Sequence, residues 1–166
     1  MHPGVHASTH PDKSAYVLAG SGRTVTYARL DERSRRLARL LQDRGLGPGD
    51  LVAVFMENNE HYLEVVWAAQ RSGLLYTTIS SRLTAGEVSY ILDDAGAAAL
   101  VTSFAHRQVA AAVASPAGLH TWLMVNGTVE GYEDYEQALS ATPPEPRQPE
   151  LEGRSMLYSS GTTGRP

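Results

Sequence analysis

The sequence contains no cysteine, which excludes disulfides, thiolate metal sites and a cysteine nucleophile. It has no uninterrupted apolar run of about 18 residues, so no segment is predicted to span a membrane. Residues 1–5 lack the basic segment and apolar run of a secretory signal, and we therefore expect a cytoplasmic protein. There is no excess of basic charge: the net charge is −4, which does not favour nucleic acid or an anionic membrane as partner.

The composition that is present is globular, with 42% hydrophobic and 19% charged residues in a chain of 166. This length is sufficient for one domain with its own core. Residues 1–14 hold three histidines spaced four apart, a spacing that on a helix could bind a metal ion. Because two prolines and a glycine lie among them, we expect no helix there but a flexible tail, followed by a folded domain over residues 15–166.

The folded part alternates between apolar runs and amphipathic segments. Strands are predicted at residues 51–56, 74–79, 98–102, 121–125 and 155–158. Helices are predicted at about residues 28–44, after a cap at Asn58 or Asn59, after a capping box that opens at Thr84, and at residues 105–114 and 132–139. The strands are continuous apolar runs, which indicates burial on both faces. The predicted fold class is therefore α/β, with a parallel sheet flanked by helices.

A proline-rich segment, residues 143–149, is predicted to be an extended, exposed linker to the last strand. The loop that follows reads Tyr-Ser-Ser-Gly-Thr-Thr-Gly-Arg-Pro, and ligands of parallel sheets bind where strands end. Its glycines permit backbone angles that let successive amides converge on one anion, and its hydroxyls can donate to phosphate oxygens. It is not a Walker A loop, because no Gly-Lys-Ser/Thr follows.

A polar surface turn is the simpler interpretation of such a loop, and composition alone does not decide between the two. The string Ser-Gly-Thr-Thr-Gly does, because it should occur by chance in about one window in a million. It resembles the phosphate-binding signature of the adenylate-forming superfamily, which includes acyl-CoA synthetases, luciferases and peptide-synthetase adenylation domains. Further segments resemble that superfamily in the same order, at residues 24–27, 47–53, 67–73 and 83–92. The resemblance covers about residues 10–166 and is greatest to fatty-acid–CoA ligases.

The resemblance implies a two-step reaction in which a carboxylate, here a fatty acid, attacks the α-phosphate of ATP. Pyrophosphate leaves, and a thiol, usually coenzyme A, then displaces AMP to give a thioester. By the same resemblance six loop residues would bind the ATP phosphates: Ser159, Ser160, Gly161, Thr162, Thr163 and Gly164. Thr162 would also contact the Mg²⁺ that accompanies ATP, since this hard ion prefers oxygen ligands.

The chain departs from the family pattern at its end. In the family a lysine directly follows the position of Pro166, and the adenine-binding segments, a Mg²⁺-binding glutamate and a catalytic lysine lie downstream. Lys13 is the only lysine here and stands in the predicted tail. The sequence is therefore expected to be the N-terminal portion of an AMP-binding domain, inactive alone. Two alternatives stay open: a non-catalytic module that binds a partner subunit or itself, and an unrelated nucleotide-binding protein.

Other polar residues have structural interpretations. Three histidines lack metalloprotease spacing and are expected to face solvent or to be bonded locally: His61, His106 and His120. Residues 57–60 could suggest acid–base chemistry but are better interpreted as a helix cap with acidic neighbours. Trp67 and Trp122 are expected to fill the core, and the acidic pair at residues 93 and 94 is expected to be solvated.

Overall fold

A computed structural model of the protein describes residues 3–158. The helices are α1 (Pro3–Thr9), α2 (Tyr27–Asp43), α3 (Tyr62–Arg71), α4 (Ala85–Asp94), α5 (Arg107–Ala111) and α6 (Tyr135–Ser140). The strands are β1 (Ser14–Val17), β2 (Thr24–Thr26), β3 (Leu51–Phe55), β4 (Leu75–Thr78), β5 (Ala97–Ser103), β6 (Thr121–Val125), β7 (Glu133–Asp134) and β8 (Arg154–Ser155). Six strands form one parallel sheet in the order β7-β6-β5-β3-β4-β8, which confirms the predicted fold class.

The central strand β3 shows why the sheet has helices on both faces. All five of its residues are buried, and successive side chains point to opposite faces. Val52 and Val54 pack into a core cluster with α2, α3 and α6. Leu51, Ala53 and Phe55 pack into the cluster on the other face, with α4 and the partly buried Val109 of α5. The apolar runs predicted burial on both faces, and the structure confirms it.

Local signals set the bounds of α2 and the start of α4. The Thr26 side chain accepts the backbone N–H of Arg29 at the start of α2, and Gly45 follows its end with φ +90°. A left-handed residue after the last turn is the common way to stop a helix, and glycine adopts it without steric cost. At the start of α4, Thr84 and Glu87 form the predicted capping box, with hydrogen bonds in both directions.

Other predictions of secondary structure were wrong. Pro3–Thr9 is helical, because Pro3 occupies the first helical position, where its missing N–H has no partner to lose, and His6 packs on the Tyr27 ring at 4.8 Å. Helix α3 begins at Tyr62, so neither Asn58 nor Asn59 is its N-cap. The Asn59 side chain instead accepts the N–H of His61 in the turn before the helix. Residues 25–27 are predicted to be extended, in agreement with β2, but β1, its antiparallel pairing with β2, and β7 were not predicted, because such short strands leave no periodic pattern.

Two more predicted helices have different bounds. The segment at 105–114 is a 3₁₀ turn, Phe104–His106, followed by the five residues of α5. Helix α6 begins at Tyr135, where the Asp134 side chain accepts the N–H of Gln137 as an N-cap. The tryptophans differ as well: Trp122 packs against the α4 side of the sheet, whereas Trp67 is half-buried and belongs to neither core cluster.

A buried polar cluster joins α2, α3 and α6. The Glu64 side chain is fully buried; its Oε1 accepts Nε of Arg33 at 2.6 Å, and its Oε2 accepts the Tyr135 hydroxyl at 3.1 Å. His61 Nδ1 lies 3.1 Å from Oε2, and Arg33 also pairs with Glu136. Burial acts to raise the pKa of Glu64, but its bonds with His61 and Arg33 outweigh that effect and hold the pKa below its usual range. The carboxylate therefore stays charged inside the fold.

The linker that leads to β8 is mostly exposed, as predicted, but it is also tied to α2. Arg36 donates to the carbonyl of Thr142 at 2.6 Å, and Arg39 donates to the carbonyl of Glu145 at 3.0 Å. These carbonyls belong to a proline-rich segment that has no strand or helix partner for them. The α2 side chains supply the missing donors and hold the linker along the helix.

The end of the linker passes closely over the end of α3. Gly153 donates its N–H to the carbonyl of Gln70 at 2.7 Å. A Cβ placed on Gly153 would lie 2.4 Å from the carbonyl oxygen of Leu74 and 2.6 Å from that of Ala69. Only glycine fits between these two carbonyls. The following residues then join the sheet edge as β8, parallel to β4.

Removing the guanidinium from the buried cluster should destabilise the fold strongly. Arg33→Ala leaves the Glu64 carboxylate buried without its main partner, and the free energy of unfolding should fall by about 3–5 kcal/mol. Arg44→Ala is the matched control, since Arg44 pairs with Glu133 on the surface and such pairs contribute about 1 kcal/mol or less. Urea unfolding followed by circular dichroism measures both, and equal losses would contradict the stabilising role of the cluster.

A methyl group at the linker crossing should also cost stability. Gly153→Ala forces the chain away from two backbone carbonyls, which cannot rotate aside, and should lower the free energy of unfolding by about 1–3 kcal/mol. Gly20→Ala is the control, because no heavy atom lies within 4 Å of its added methyl group. The comparison uses the same urea titration. A Gly153 variant as stable as the Gly20 variant would show that the crossing is not tight.

Candidate functional site

The predicted ATP-phosphate residues lie just beyond the part of the chain that the structure describes. They are Ser159, Ser160, Gly161, Thr162, Thr163 and Gly164, with Thr162 as the predicted Mg²⁺ contact. Their binding roles stay predictions. What the structure does show is the segment that leads to them, which ends at Tyr158.

That segment leaves the sheet at its carboxyl edge. Arg154 and Ser155 stand in register with Leu75 and Tyr76 of β4, and Met156 donates its N–H to the carbonyl of Tyr76 at 2.7 Å. The strand is therefore shorter than the predicted residues 155–158 and begins one residue earlier. Because β8 runs parallel to β4, the chain continues toward the edge at which β3, β4 and β5 also end. Ligands of open parallel sheets bind at this edge.

A buried arginine anchors the approach to β8. Arg71, whose side chain is 2% exposed, donates from Nη2 to Asp31 of α2 and lies 3.3 Å from Glu150 through Nε. Burial acts to raise the pKa of Asp31, but the hydrogen bond from Arg71 and its charge hold that pKa below the usual range. One side chain thus connects α2, the end of α3 and the linker, and fixes how β8 enters the sheet.

The carboxyl edge carries a second polar group, between β3 and β5, where the strand order changes direction. Ser103 donates its hydroxyl to Glu57 Oε2 at 2.5 Å, and His106 Nε2 lies 3.4 Å from the same oxygen. Burial acts to raise the pKa of Glu57, but hydrogen bonds from Ser103 and Asn59 hold it below the usual range. The serine donates to the carboxylate rather than to the histidine, so the group is not a nucleophile–base pair of the Ser-His type.

These contacts correct the interpretation of residues 57–60 as a helix cap. Glu57 lies two residues after the end of β3 and accepts a hydrogen bond from Ser103 at the end of β5, while Asn59 makes the turn before α3. The position of Glu57, directly after a continuous apolar run, was the signal that could have placed it at the carboxyl edge. The expectation for the histidines holds for His61, which is 3% exposed but bonds with Glu64 three residues later, and for the exposed His120. His106 departs from it, because it is half-buried and lies beside Glu57, far away in the sequence.

A shallow recess opens at the same edge, between the ends of β3 and β4, with a volume of about 430 Å³. Its lining is mixed, with more polar than apolar residues: Met56, Glu57, Asn58, Tyr62, Thr78, Ile79, Ser80 and Ser81. Over residues 3–158 no cluster of three or more histidine, aspartate or glutamate side chains could hold a metal ion. Within the same residues no helix is long and apolar enough to cross a membrane.

Comparison with known proteins agrees with this arrangement. The sequence profile of the AMP-binding enzyme family matches residues 5–166. A fatty acid–[acyl-carrier-protein] ligase, ScoC of Streptomyces coeruleorubidus, is 34% identical over 162 residues, which are 97% of this chain and 30% of ScoC. A long-chain-fatty-acid–CoA ligase of Mycobacterium tuberculosis is 31% identical over 96% of this chain and 32% of its own length.

The solved structures give the same result for the fold. A fatty acyl-CoA synthetase from Mycobacterium tuberculosis superimposes with a TM-score of 0.80 at 25% identity, over 95% of this chain and 32% of that one. The chain thus spans about 30% of the length of the curated relatives that it matches. A profile match along nearly the whole chain, together with a parallel sheet that leads into Ser-Gly-Thr-Thr-Gly, shows that this chain belongs to the AMP-binding enzyme family.

Proposed function

We propose that this chain supplies the phosphate-binding segment of an ATP-dependent acid–thiol ligase. In the proposed reaction a carboxylate attacks the α-phosphate of ATP, pyrophosphate leaves, and the resulting acyl-adenylate passes its acyl group to a thiol. The observation that carries the proposal is that β8 runs parallel to β4 and its chain continues toward the carboxyl edge of the sheet, with Ser-Gly-Thr-Thr-Gly beginning five residues after the strand ends at Ser155. Loops at that edge are where such sheets bind nucleotides.

The loop residues would act on the phosphates that leave. Backbone amides next to Gly161 and Gly164 would point at the anion, and the hydroxyls of Thr162 and Thr163 would donate to its oxygens. Negative charge grows on pyrophosphate as the bond to the α-phosphate breaks, so donors placed there lower the barrier. Mg²⁺ would arrive with ATP and offset part of this charge, with the Thr162 hydroxyl as one oxygen ligand.

A fatty acid and coenzyme A are the proposed acid and thiol. The names of two relatives support a fatty acid, one with an acyl-carrier protein as acceptor and one with coenzyme A. Other relatives act on different acids, such as ferulate, so the family alone does not select the acyl group. A cytoplasmic location, expected from the sequence, stays a prediction.

The 166 residues by themselves are expected not to catalyse the reaction. They span about 30% of the relatives, and their only lysine, Lys13, stands next to β1, far along the chain from the phosphate-binding motif. The assay is exchange of labelled pyrophosphate into ATP with a panel of fatty acids. We expect no acid-dependent exchange. Exchange that rises with one acid would show that these residues hold a complete adenylation site, and would refute the proposed inactivity.

Binding of ATP should be separable from catalysis. If the loop binds phosphates, Mg²⁺–ATP at about 100 times its Kd should raise the free energy of unfolding by about 2.7 kcal/mol, seen as a higher Tm. A Thr162→Val/Thr163→Val double variant should lose this shift, because valine keeps the branched shape without the hydroxyl. Ser115→Ala, which removes an exposed hydroxyl elsewhere, should keep it. Equal shifts with GTP would instead favour an unrelated nucleotide-binding protein.

A second candidate is a non-catalytic module that binds a partner subunit or itself. Exposed leucines flank the edge strand β8 and favour this reading: Leu151 is 49% exposed and Leu157 is 79% exposed. A strand at a sheet edge leaves one row of backbone groups available for pairing, and β8 is such an edge strand. A stable oligomer in gel filtration, together with a Tm that no nucleotide changes, would support this candidate over the ligase.

A further inference from the structure

One hydrogen bond connects the last described residue to a distant helix. The Tyr158 hydroxyl donates to Oδ2 of Asp94 at 2.6 Å, across 64 positions of sequence. Asp94 is the last residue of α4, and Tyr158 directly precedes the Ser159 that begins the predicted phosphate-binding residues. The contact therefore joins the end of α4 to the residue that directly precedes the predicted motif in the sequence.

Packing supports the hydrogen bond. Beyond β8 the side chains alternate, as in an extended chain: Met156 and Tyr158 pack against the core cluster on the α4 side, while Leu157 between them faces solvent. The Tyr158 ring thus lies over α4, and its hydroxyl reaches the end of that helix. Tyr90 stands one turn earlier on the same helix face, four residues before Asp94.

The charges at this end of α4 explain why the phenol is a favourable neighbour. The last turn of α4 carries acidic residues and no basic one, although the carbonyl end of a helix disfavours negative charge. A phenolic donor partly offsets that cost at Asp94. Burial first, and then the bond to Asp94, raise the pKa of Tyr158 above its usual range, so the hydroxyl keeps its proton at neutral pH.

We infer that Asp94 is a positioning residue for the phosphate-binding motif: through Tyr158 it fixes the residue that directly precedes residues 159–164 in the sequence. The role of the motif rests on the proposed function, whereas the anchor itself rests on the contact between Asp94 and Tyr158. Groups that bind a transferring phosphate must be held in place before the reaction, because reorganising them costs rate. An anchor one residue before the motif serves that purpose.

The anchor is tested by hydrogen–deuterium exchange of the peptide that covers residues 156–164, in the full chain without nucleotide. Tyr158→Phe and Asp94→Ala should each raise its exchange rate about tenfold, the factor expected for loss of one hydrogen bond to a charged group. The double variant should match either single variant, because both remove the same bond. Asp94→Asn keeps an acceptor oxygen and should restore most of the protection.

Matched controls separate the anchor from a general loosening of the fold. Tyr90→Phe removes a phenol hydroxyl that makes no hydrogen bond within residues 3–158, and Asp93→Ala removes the adjacent exposed acid. Both should leave exchange of the 156–164 peptide unchanged, and all variants should keep the exchange of β3 and α4.

Two results would overturn the inference. The first is a Tyr158→Phe or Asp94→Ala variant in which the 156–164 peptide exchanges no faster than in the Tyr90→Phe control. The second is a double variant in which the exchange rate of this peptide rises by the product of the two single effects. Because no nucleotide is present, this outcome is independent of the ATP-dependent Tm. If the chain fails to bind ATP but its variants show the expected exchange of the 156–164 peptide, the proposed function is refuted and the Asp94–Tyr158 anchor is still supported.

Discussion

Burial of β3 on both faces is the constraint on which the rest of the architecture depends. Its five residues face two different core clusters, so helices must cover both sides of the sheet. Helices on both faces require crossover connections, and crossovers make neighbouring strands parallel. Parallel strands in turn end at one edge. The segment that precedes the predicted phosphate-binding motif reaches that edge because β8 joins the sheet beside β4.

The route to β8 depends on interactions that belong to no regular element. A proline-rich linker offers carbonyls but few N–H donors, and buried or half-buried carbonyls need partners. Arginines of α2 provide them, and the buried Arg71 joins the linker to α2 and α3. Gly153 then lets the chain pass between two carbonyls where any side chain would collide. The position of β8 at the sheet edge is thus set by the arginines that bind the linker and by the absence of a Cβ at Gly153.

Charge inside this domain is organised in pairs that cross between elements. Glu64 takes partners from α2 and α6, Glu57 takes one from β5, and Asp94 takes Tyr158. In each case a carboxylate on one element meets a donor that is distant in the sequence. Removing one member of the buried Glu64 cluster leaves its partner charge without compensation, which is why the loss of Arg33 is expected to destabilise the fold. Two of the three, Glu57 and Asp94, lie on elements that border the approach to the motif.

Much of the fold followed from the sequence, because its signals are local. Apolar runs predicted β3 to β6, Gly45 and the Thr84 box set helix ends, and Ser-Gly-Thr-Thr-Gly identified the family before any comparison. The errors have physical reasons as well. Pro3 was taken to prevent a helix that it in fact begins, and short strands such as β7 have no periodicity of their own because pairing with a neighbour defines them.

The candidate site likewise has a part that the sequence predicts and a part that only the structure reveals. Sequence by itself determined the family, and it predicts the chemistry of residues 159–164, since hydroxyls and glycines in a fixed order need no fold to be recognised. Only the tertiary structure decided the contacts between distant residues: that Glu57 meets Ser103 rather than capping a helix, that His61 packs against Tyr135, and that Asp94 holds Tyr158. Each of these contacts joins residues far apart along the chain. No local pattern records them, because the sheet must form before the partners come within reach.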